Sequence, residues 1–551
     1  MGWRKLGDDG QELCRQLDYL VGGVQVLKTS IQMRRLVNAK ELWCGGLYRD
    51  IAGDDLSVDV TYSKAALRHM KDARFLLSTL LDSLDHAIHI VSKDIAIDCQ
   101  AFGLTLLPDD VLTNIFESYV ETSVTPDGRV DPGVSPQILA SVCKRFRQIA
   151  LAHSNLWQRV SLRFSSHLLL LHKTRCQAPI VFMDADDAAS LADAAAKLEV
   201  AHPNRNWQEL HLTYADENLG HLSYGLLKQM IQTPFEALEY LSICNDTSIR
   251  NENRYTITIP IHMEPGDSDI LCSWEMPKLT NLQLYNVYPL NPLQSENVTH
   301  FTFEVDRTGV TDLDTGGFCR LLQSMPNIQA FSLALNADFV FTNGTPTRRL
   351  ALPCLESFEL KVGEETPVST VKQLRSILDV QHIRRLSLQC SGCFNCDEEF
   401  LNLFIVVLTP YVDKEGEPES QFPFVKLENF ILEVQHLQGS NVPFGRLFQA
   451  MPNVQHITLK LPGTADPVFD EAWKDPDNNI LRYLRTLRLA PPQSSPNDFS
   501  CQLSGIEEFF SDGYCQDFER LEVHFRPPYN SATSKARLLN ILGEKLRWIE
   551  C

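Results

Sequence analysis

The sequence predicts an α + α/β chain: a helical N-terminal region, a two-helix module, and then an irregular α/β solenoid of short repeats. Three observations predict it. Apolar residues step by three and four through the first hundred positions, two amphipathic helices follow, and beyond residue 160 a short phrase recurs, apolar-x-x-apolar-x-apolar. With 551 residues the chain exceeds the ~150 that serve as a prior for one domain. The expected segments are 1–100, 104–160 and 161–551.

In the first segment Leu13, Leu17, Leu20, Val24, Leu27 and Ile31 lay one apolar stripe along a helix, and Leu67, Met70, Arg74, Leu77, Leu81, Leu84, Ile88, Val91 and Ile95 lay a longer one. Joined through GGLYRDIAGDD, the two stripes can bury each other as an antiparallel hairpin, or the longer one can pair with a second chain as a dimerising coiled coil. The hairpin is favoured, because few opposite charges flank the seam.

The second segment opens with LLPDDVLTNIFESYV, where Pro108, Asp109 and Asp110 suit a helix start: proline has no amide to lose, and carboxylates favour the positive end of the helix. Val111, Ile115 and Tyr119, with Leu112, Phe116 and Val120, make an apolar face broader than one partner helix needs. After a polar loop, PQILASVCKRFRQIALAHSNLW reads as a second helix, with Leu139, Val142, Phe146 and Ile149 on one side and Lys144, Arg145 and Arg147 on the other.

The order Leu107-Pro108, Ile115-Phe116, Val142-Cys143-Lys144-Arg145-Phe146-Arg147 and Leu156-Trp157 resembles the F-box. Two departures are Phe146, where that family usually has Trp, and a longer loop over 121–135. The resemblance implies a non-catalytic substrate-recognition subunit of an SCF-type ubiquitin ligase, bound to a Skp-family adaptor and through it to a cullin and a RING protein. It carries Leu107, Pro108, Val111, Leu112, Ile115, Phe116, Val142, Cys143 and Phe146 over as the adaptor-binding residues. Leu156 and Trp157 are expected in the core, closing the small bundle from inside.

In the third segment the phrase opens at Trp207, Leu238, Leu279, Val298, Ile328, Leu355, Ile383, Leu427, Val454, Leu484 and Phe518, mostly 27 to 34 residues apart. FCRLLQSMPNIQAFSLAL from Phe318 and FGRLFQAMPNVQHITLKL from Phe444 agree at ten of eighteen positions, a helix, a turn and a strand duplicated. The unit resembles a degenerate leucine-rich repeat, whose strands line one face and whose helices pack on the other. Asn336 matches that family's asparagine, which bonds backbone between neighbouring coils. The segment APIVFMDADDAASLADAAAKLEVAHPNRNWQELHL reads as strand, helix and strand. It is similar to the stretch immediately after the F-box in large basidiomycete fungal families.

Composition and motifs narrow the function class. A net charge of −20 repels polyphosphate, so nucleic acid is not expected as a ligand. The opening MGWRKLGDDG has acids where a signal peptide needs an apolar run, and about 18 uncharged apolar residues never follow one another, so no membrane partner and a cytoplasmic and/or nuclear location are expected. No GxxxxGK[ST], HExxH, GxSxG or dinucleotide-type glycine turn occurs, so the expectation is not an enzyme.

Cys390, Cys393 and Cys396 in CSGCFNC have spacing open to three thiolates of a zinc or iron-sulfur site, with a fourth ligand needed from elsewhere. The reading adopted is reduced thiols at the end of a strand and in its loop, and no cofactor. No Arg cluster stands out along the sequence, and the protein target and the surface that meets it are left open. The competing class is a repeat scaffold that binds a protein partner outside ubiquitylation, its first helices acting as a cap.

Overall fold

The computed structural model describes residues 71, 74, 78, 81–90, 104, 107–122, 136–185, 204–214, 217–230, 234–246, 259–342, 349–363, 366–380, 382–394, 424–437, 441–443, 451–461, 466–468, 483–492, 503–511, 517–525 and 532–550. Two compact units divide the chain, Met1–Pro108 and Asp109–Cys551. In the first, residues 81–90 are helical, and Leu81, Leu84 and Ile88 of the long stripe are exposed. The mutual burial expected of a hairpin is therefore not seen at these three positions. The stripe from Leu13 to Ile31 lies outside the described residues.

The second unit begins with three helices: α1 (Asp109–Glu121), α2 (Pro136–Val142) and α3 (Lys144–Ala152). The single second helix expected from Pro136 onward is broken at Cys143, whose backbone is extended at φ −154° and ψ 172°. The break has a local cause: the Cys143 sulfur caps α3 by accepting from the Phe146 amide at 3.4 Å. The turn also lets the Phe146 ring meet the Phe116 ring edge-on, with centroids 4.8 Å apart.

The rest of the unit is built on parallel strands. They are β1 (Arg159–Ser161), β2 (Ile180–Ala185), β3 (Glu209–Tyr214), β4 (Tyr240–Asn245), β5 (Ile259–Pro260), β6 (Asn281–Tyr285), β7 (His300–Asp314), β8 (Ala330–Thr342), β9 (Leu350–Ala351) and β10 (Ser357–Val362). There follow β11 (Leu378–Asp379), β12 (Arg385–Phe394), β13 (Asn429–Leu437), β14 (Asn441–Pro443), β15 (His456–Lys460), β16 (Asp466–Val468), β17 (Thr486–Ala490), β18 (Arg520–Phe525) and β19 (Leu546–Glu550). Fifteen of them form one sheet in the order β1-β2-β3-β4-β6-β7-β8-β10-β12-β13-β15-β17-β18-β19, with β5 paired to β7. The order follows the chain and never reverses, unlike a doubly wound sheet.

The recurring phrase explains this order. Each of its eleven opening residues stands two positions before a strand of the sheet, from Trp207 before β3 to Phe518 before β18, and every one is buried. At seven of them the opener donates to a carbonyl three residues back, as Leu279 does to Met276 and Val454 to Met451, which closes a turn into the strand. The carbonyl of the next residue then accepts two successive amides of the following unit: Glu239 O takes Thr280 N and Asn281 N, and Arg384 O takes Glu428 N and Asn429 N. Backbone groups that would otherwise be orphaned at the sheet margin are satisfied from neighbour to neighbour.

Within a strand the second and fourth residues point to the core. The registers stack Phe301, Phe331 and Phe358 across β7, β8 and β10, with ring centroids 5.3 Å and 5.5 Å apart. Burying each such ring contributes about 1.5–3 kcal/mol. The intervening helices are α4 (Ser166–Lys173), α5 (Glu217–Met230), α6 (Pro265–Cys272), α7 (Thr315–Gln323), α8 (Val368–Ile377), α9 (Ser504–Ser511) and α10 (Ala532–Leu542). In α7 one side carries buried Phe318, Leu321 and Leu322, and the Phe318 ring packs on Phe303 of β7 at 5.3 Å. Among the described residues no helix is long and apolar enough to cross a membrane.

Two close approaches depend on residue type. Asn286, buried and at φ 56°, donates from Nδ2 to Asn245 O and Asp306 O, both at 3.3 Å, and accepts at Oδ1 from Asp306 N at 2.8 Å. It thus ties the end of β4 to the middle of β7 beside β6. The asparagine singled out by resemblance, Asn336, donates to Asp306 Oδ1 at 2.7 Å. Gly363 faces it so closely that a Cβ there would lie 2.6 Å from Asn336 Cβ.

Candidate functional site

The helices α1 to α3 divide the nine carried-over residues by exposure. Leu112, Phe116 and Phe146 are 0%, 1% and 5% exposed. They form the inner side of the bundle, where the Trp157 indole donates to Ala150 O at 2.6 Å and Leu156 is buried beside it. Val111, Ile115 and Val142 are 38%, 37% and 61% exposed. Leu107 is half-buried and Pro108 exposed, immediately before α1. Cys143 is a helix cap, its sulfur engaged with backbone. The expectation that all nine act as surface anchors is therefore corrected for three: Leu112 and Phe116 lie in the buried row of α1 with Val120, and Phe146 lies in that of α3 with Ile149.

The outward apolar residues have a helical logic. Val111 and Ile115 are four apart on α1, so they share one stripe; Ile138 and Val142 are four apart on α2 and share another. Ile138, which was not among the nine, is exposed. Its signal was present in the spacing from Val142. Four large apolar side chains, Val111, Ile115, Ile138 and Val142, are thus left in water over this small bundle.

Polar ties hold the bundle around this surface. Arg145 Nε donates to Asp109 Oδ1 at 2.9 Å, joining α3 to the first turn of α1. Exposed pairs of this kind contribute about 0.2–1 kcal/mol. Thr113 Oγ1 donates to Asp109 O at 2.8 Å and lies 3.1 Å from His153 Nε2. At the junction with the sheet, His172 Nδ1 lies 2.6 Å from Trp157 O, and the Arg175 guanidinium sits 4.8 Å over the Trp157 ring. These contacts tie the bundle to the start of the sheet.

The sheet supplies a second surface. First, third and fifth residues of each strand point away from the core, and the registers fix which of them are neighbours. Across β12, β13, β15, β17 and β18 the first row is Arg385, Asn429, His456, Thr486 and Arg520, and the second is Ser387, Ile431, Thr458, Arg488 and Glu522. Lys460 Nζ holds Glu433 Oε2 at 2.8 Å, and Arg520 Nε holds Glu522 Oε1 at 3.0 Å. The arginines that looked scattered along the sequence are thus gathered on one face. Their signal was the repeat phrase, which sets the outward positions at two, four and six residues after each opener.

The cysteine run is placed only in part. Cys390 lies inside β12, on the core side between Val362 and Val434, and burial pushes its thiol up to about 12. It does not end its strand, which continues through Cys393 to Phe394 after a register irregularity. Cys396 lies outside the described residues. Among the described residues no three His, Cys, Asp or Glu side chains group as a metal site. Compared with known proteins, the chain matches no family model and has no significant similarity to a curated protein.

Proposed function

We propose that this chain is the substrate-recognition subunit of a Skp-cullin-F-box type ubiquitin ligase, with α1–α3 docking on a Skp-family adaptor and the sheet-bearing part taking a protein target. The observation that carries the reading is the pair of outward apolar stripes, Val111 with Ile115 and Ile138 with Val142, on helices whose sequence runs in F-box order. An apolar face of this kind gives an interface its anchors. The sheet in chain order, with a buried phrase before each of eleven strands, supports reading the remainder as a leucine-rich-repeat-like solenoid.

Coexpression with a Skp-family adaptor and pull-down tests it, and exposure decides which variants are informative. Leu112→Asp would place a carboxylate in the bundle core and unfold it, so its failure to bind says nothing about the interface. Ile115→Asp with Val142→Asp alters exposed positions, so the variant keeps its fold by circular dichroism and loses the adaptor. If wild type brings down no adaptor, the ligase role falls and the repeat scaffold takes its place; if the folded variant binds as wild type does, these stripes are not the interface.

A further inference from the structure

Within a chain of net charge −20, the outward face of β12 to β18 stands apart. It carries Arg385, Lys460, Arg488 and Arg520 against two carboxylates, Glu433 and Glu522. Both carboxylates are already held, by Lys460 and Arg520. Arg385 and Arg488 are exposed and have no ion pair among the described residues. Between them, on β13, Ile431 is 39% exposed on a row otherwise polar from Ser387 to Arg488.

We infer that this face binds an acidic segment of a polypeptide, one carboxylate side chain on Arg385, one on Arg488 and an apolar side chain on Ile431. The inference rests on the reading that the sheet-bearing part takes a protein target, and it names the surface and the chemistry. Arginine presents a planar fork that matches a carboxylate in a bidentate pair. An apolar neighbour partly shields such a pair from water and raises its worth above that of an isolated surface contact. A nucleic-acid backbone fits less well, because its phosphates offer no apolar side chain to cover Ile431, which is 39% exposed between the arginines.

Geometry sets the spacing expected in the bound segment. Neighbouring strands lie about 4.8 Å apart, so three strand steps and two residues along the strand separate Arg385 from Arg488 by roughly 16 Å. An extended peptide advances about 3.3–3.6 Å per residue, which puts the two acids about four to five residues apart with the apolar residue between them.

The test is selection of phage-displayed random dodecapeptides on the immobilised full chain, followed by affinity measurement with a synthetic selected peptide. The expected result is enrichment of Asp and Glu flanking an apolar residue, with affinity that falls as salt is raised. Arg385→Glu with Arg488→Glu weakens binding by about tenfold or more, and Arg385→Gln with Arg488→Gln by an intermediate factor. Both positions are exposed, so thermal unfolding stays as in wild type.

Selected peptides without acidic enrichment, or equal binding by the reversed-charge variant, would overturn the proposal. So would a short single-stranded RNA that binds this face while acidic peptides do not. Adaptor pull-down with the same variant separates the two readings: peptide lost and adaptor kept is the expected pattern, whereas adaptor absent with peptide binding intact strikes the ligase role alone.

Discussion

His524 shows how single residues on the sheet feel their neighbours. Burial and the Arg488 charge hold its imidazole below the ordinary value of 6.5, while Glu522 on the same strand acts in the opposite direction. The unfolded chain then takes up that proton more readily than the folded one. Stability from this group is retained above pH 6.5 and lost as the pH falls through that value toward the lowered folded one. Arg488→Gln removes one of the two causes, so the His524 titration midpoint, followed by its ring-proton resonance, moves upward and the acid-side loss shrinks. An unmoved midpoint would mean that burial, and not the Arg488 charge, lowers it. Asn286 works by hydrogen bonding rather than charge: a left-handed backbone and three side-chain bonds are satisfied by one short amide, a combination that neither Gly nor Ala supplies.

At the scale of elements, the interruption between α2 and α3 sets the direction of two apolar faces, leaving Val142 exposed and turning Phe146 inward. Pro136–Val142 and Lys144–Ala152 are separated by one extended residue whose sulfur is a weak acceptor. Cys143→Ser supplies a better cap and should stabilise the chain by about 0.5–1 kcal/mol, read from the shift in a urea unfolding midpoint. If Cys143 acts as a cap and not as an anchor, the same variant keeps its adaptor; loss of adaptor binding with the fold intact would assign it to the interface. The strands obey a simpler rule. The opener is buried, the second and fourth strand residues are buried, and the first and third reach the surface in β13, β15 and β17.

Across the whole second unit, the helical surface precedes the first strand of the sheet and the arginine-bearing face lies far along it. Eight strand steps separate β1, which comes directly after the helices, from β12, roughly 38 Å measured along the sheet. Substitutions that far apart and without shared partners add, to within about 0.3–0.5 kcal/mol. Combining Ile115→Asp and Val142→Asp with Arg385→Glu and Arg488→Glu should therefore give a chain whose losses of adaptor and peptide binding equal those of the separate variants. A larger departure in either affinity, measured by titration, would reveal coupling between helices and sheet.

The sequence by itself determined where eleven of the fifteen strands of the sheet begin, because each repeat phrase states a local pattern: a buried opener, a turn, then alternation. It also determined that α1 and the segment after Pro136 are amphipathic, since helical spacing is a property of neighbouring residues. Only the tertiary structure decided that Leu112, Phe116 and Phe146 turn inward while Val111, Ile115 and Val142 stay in water. Both sets have helical spacing, and the choice between them depends on the partner surface. Only the structure gathered Arg385, Arg488 and Arg520 on one face, because strand register is set between segments far apart in the chain. Periodicity gives each element its phase; packing between distant elements decides which phase meets the core and which is left to meet another molecule.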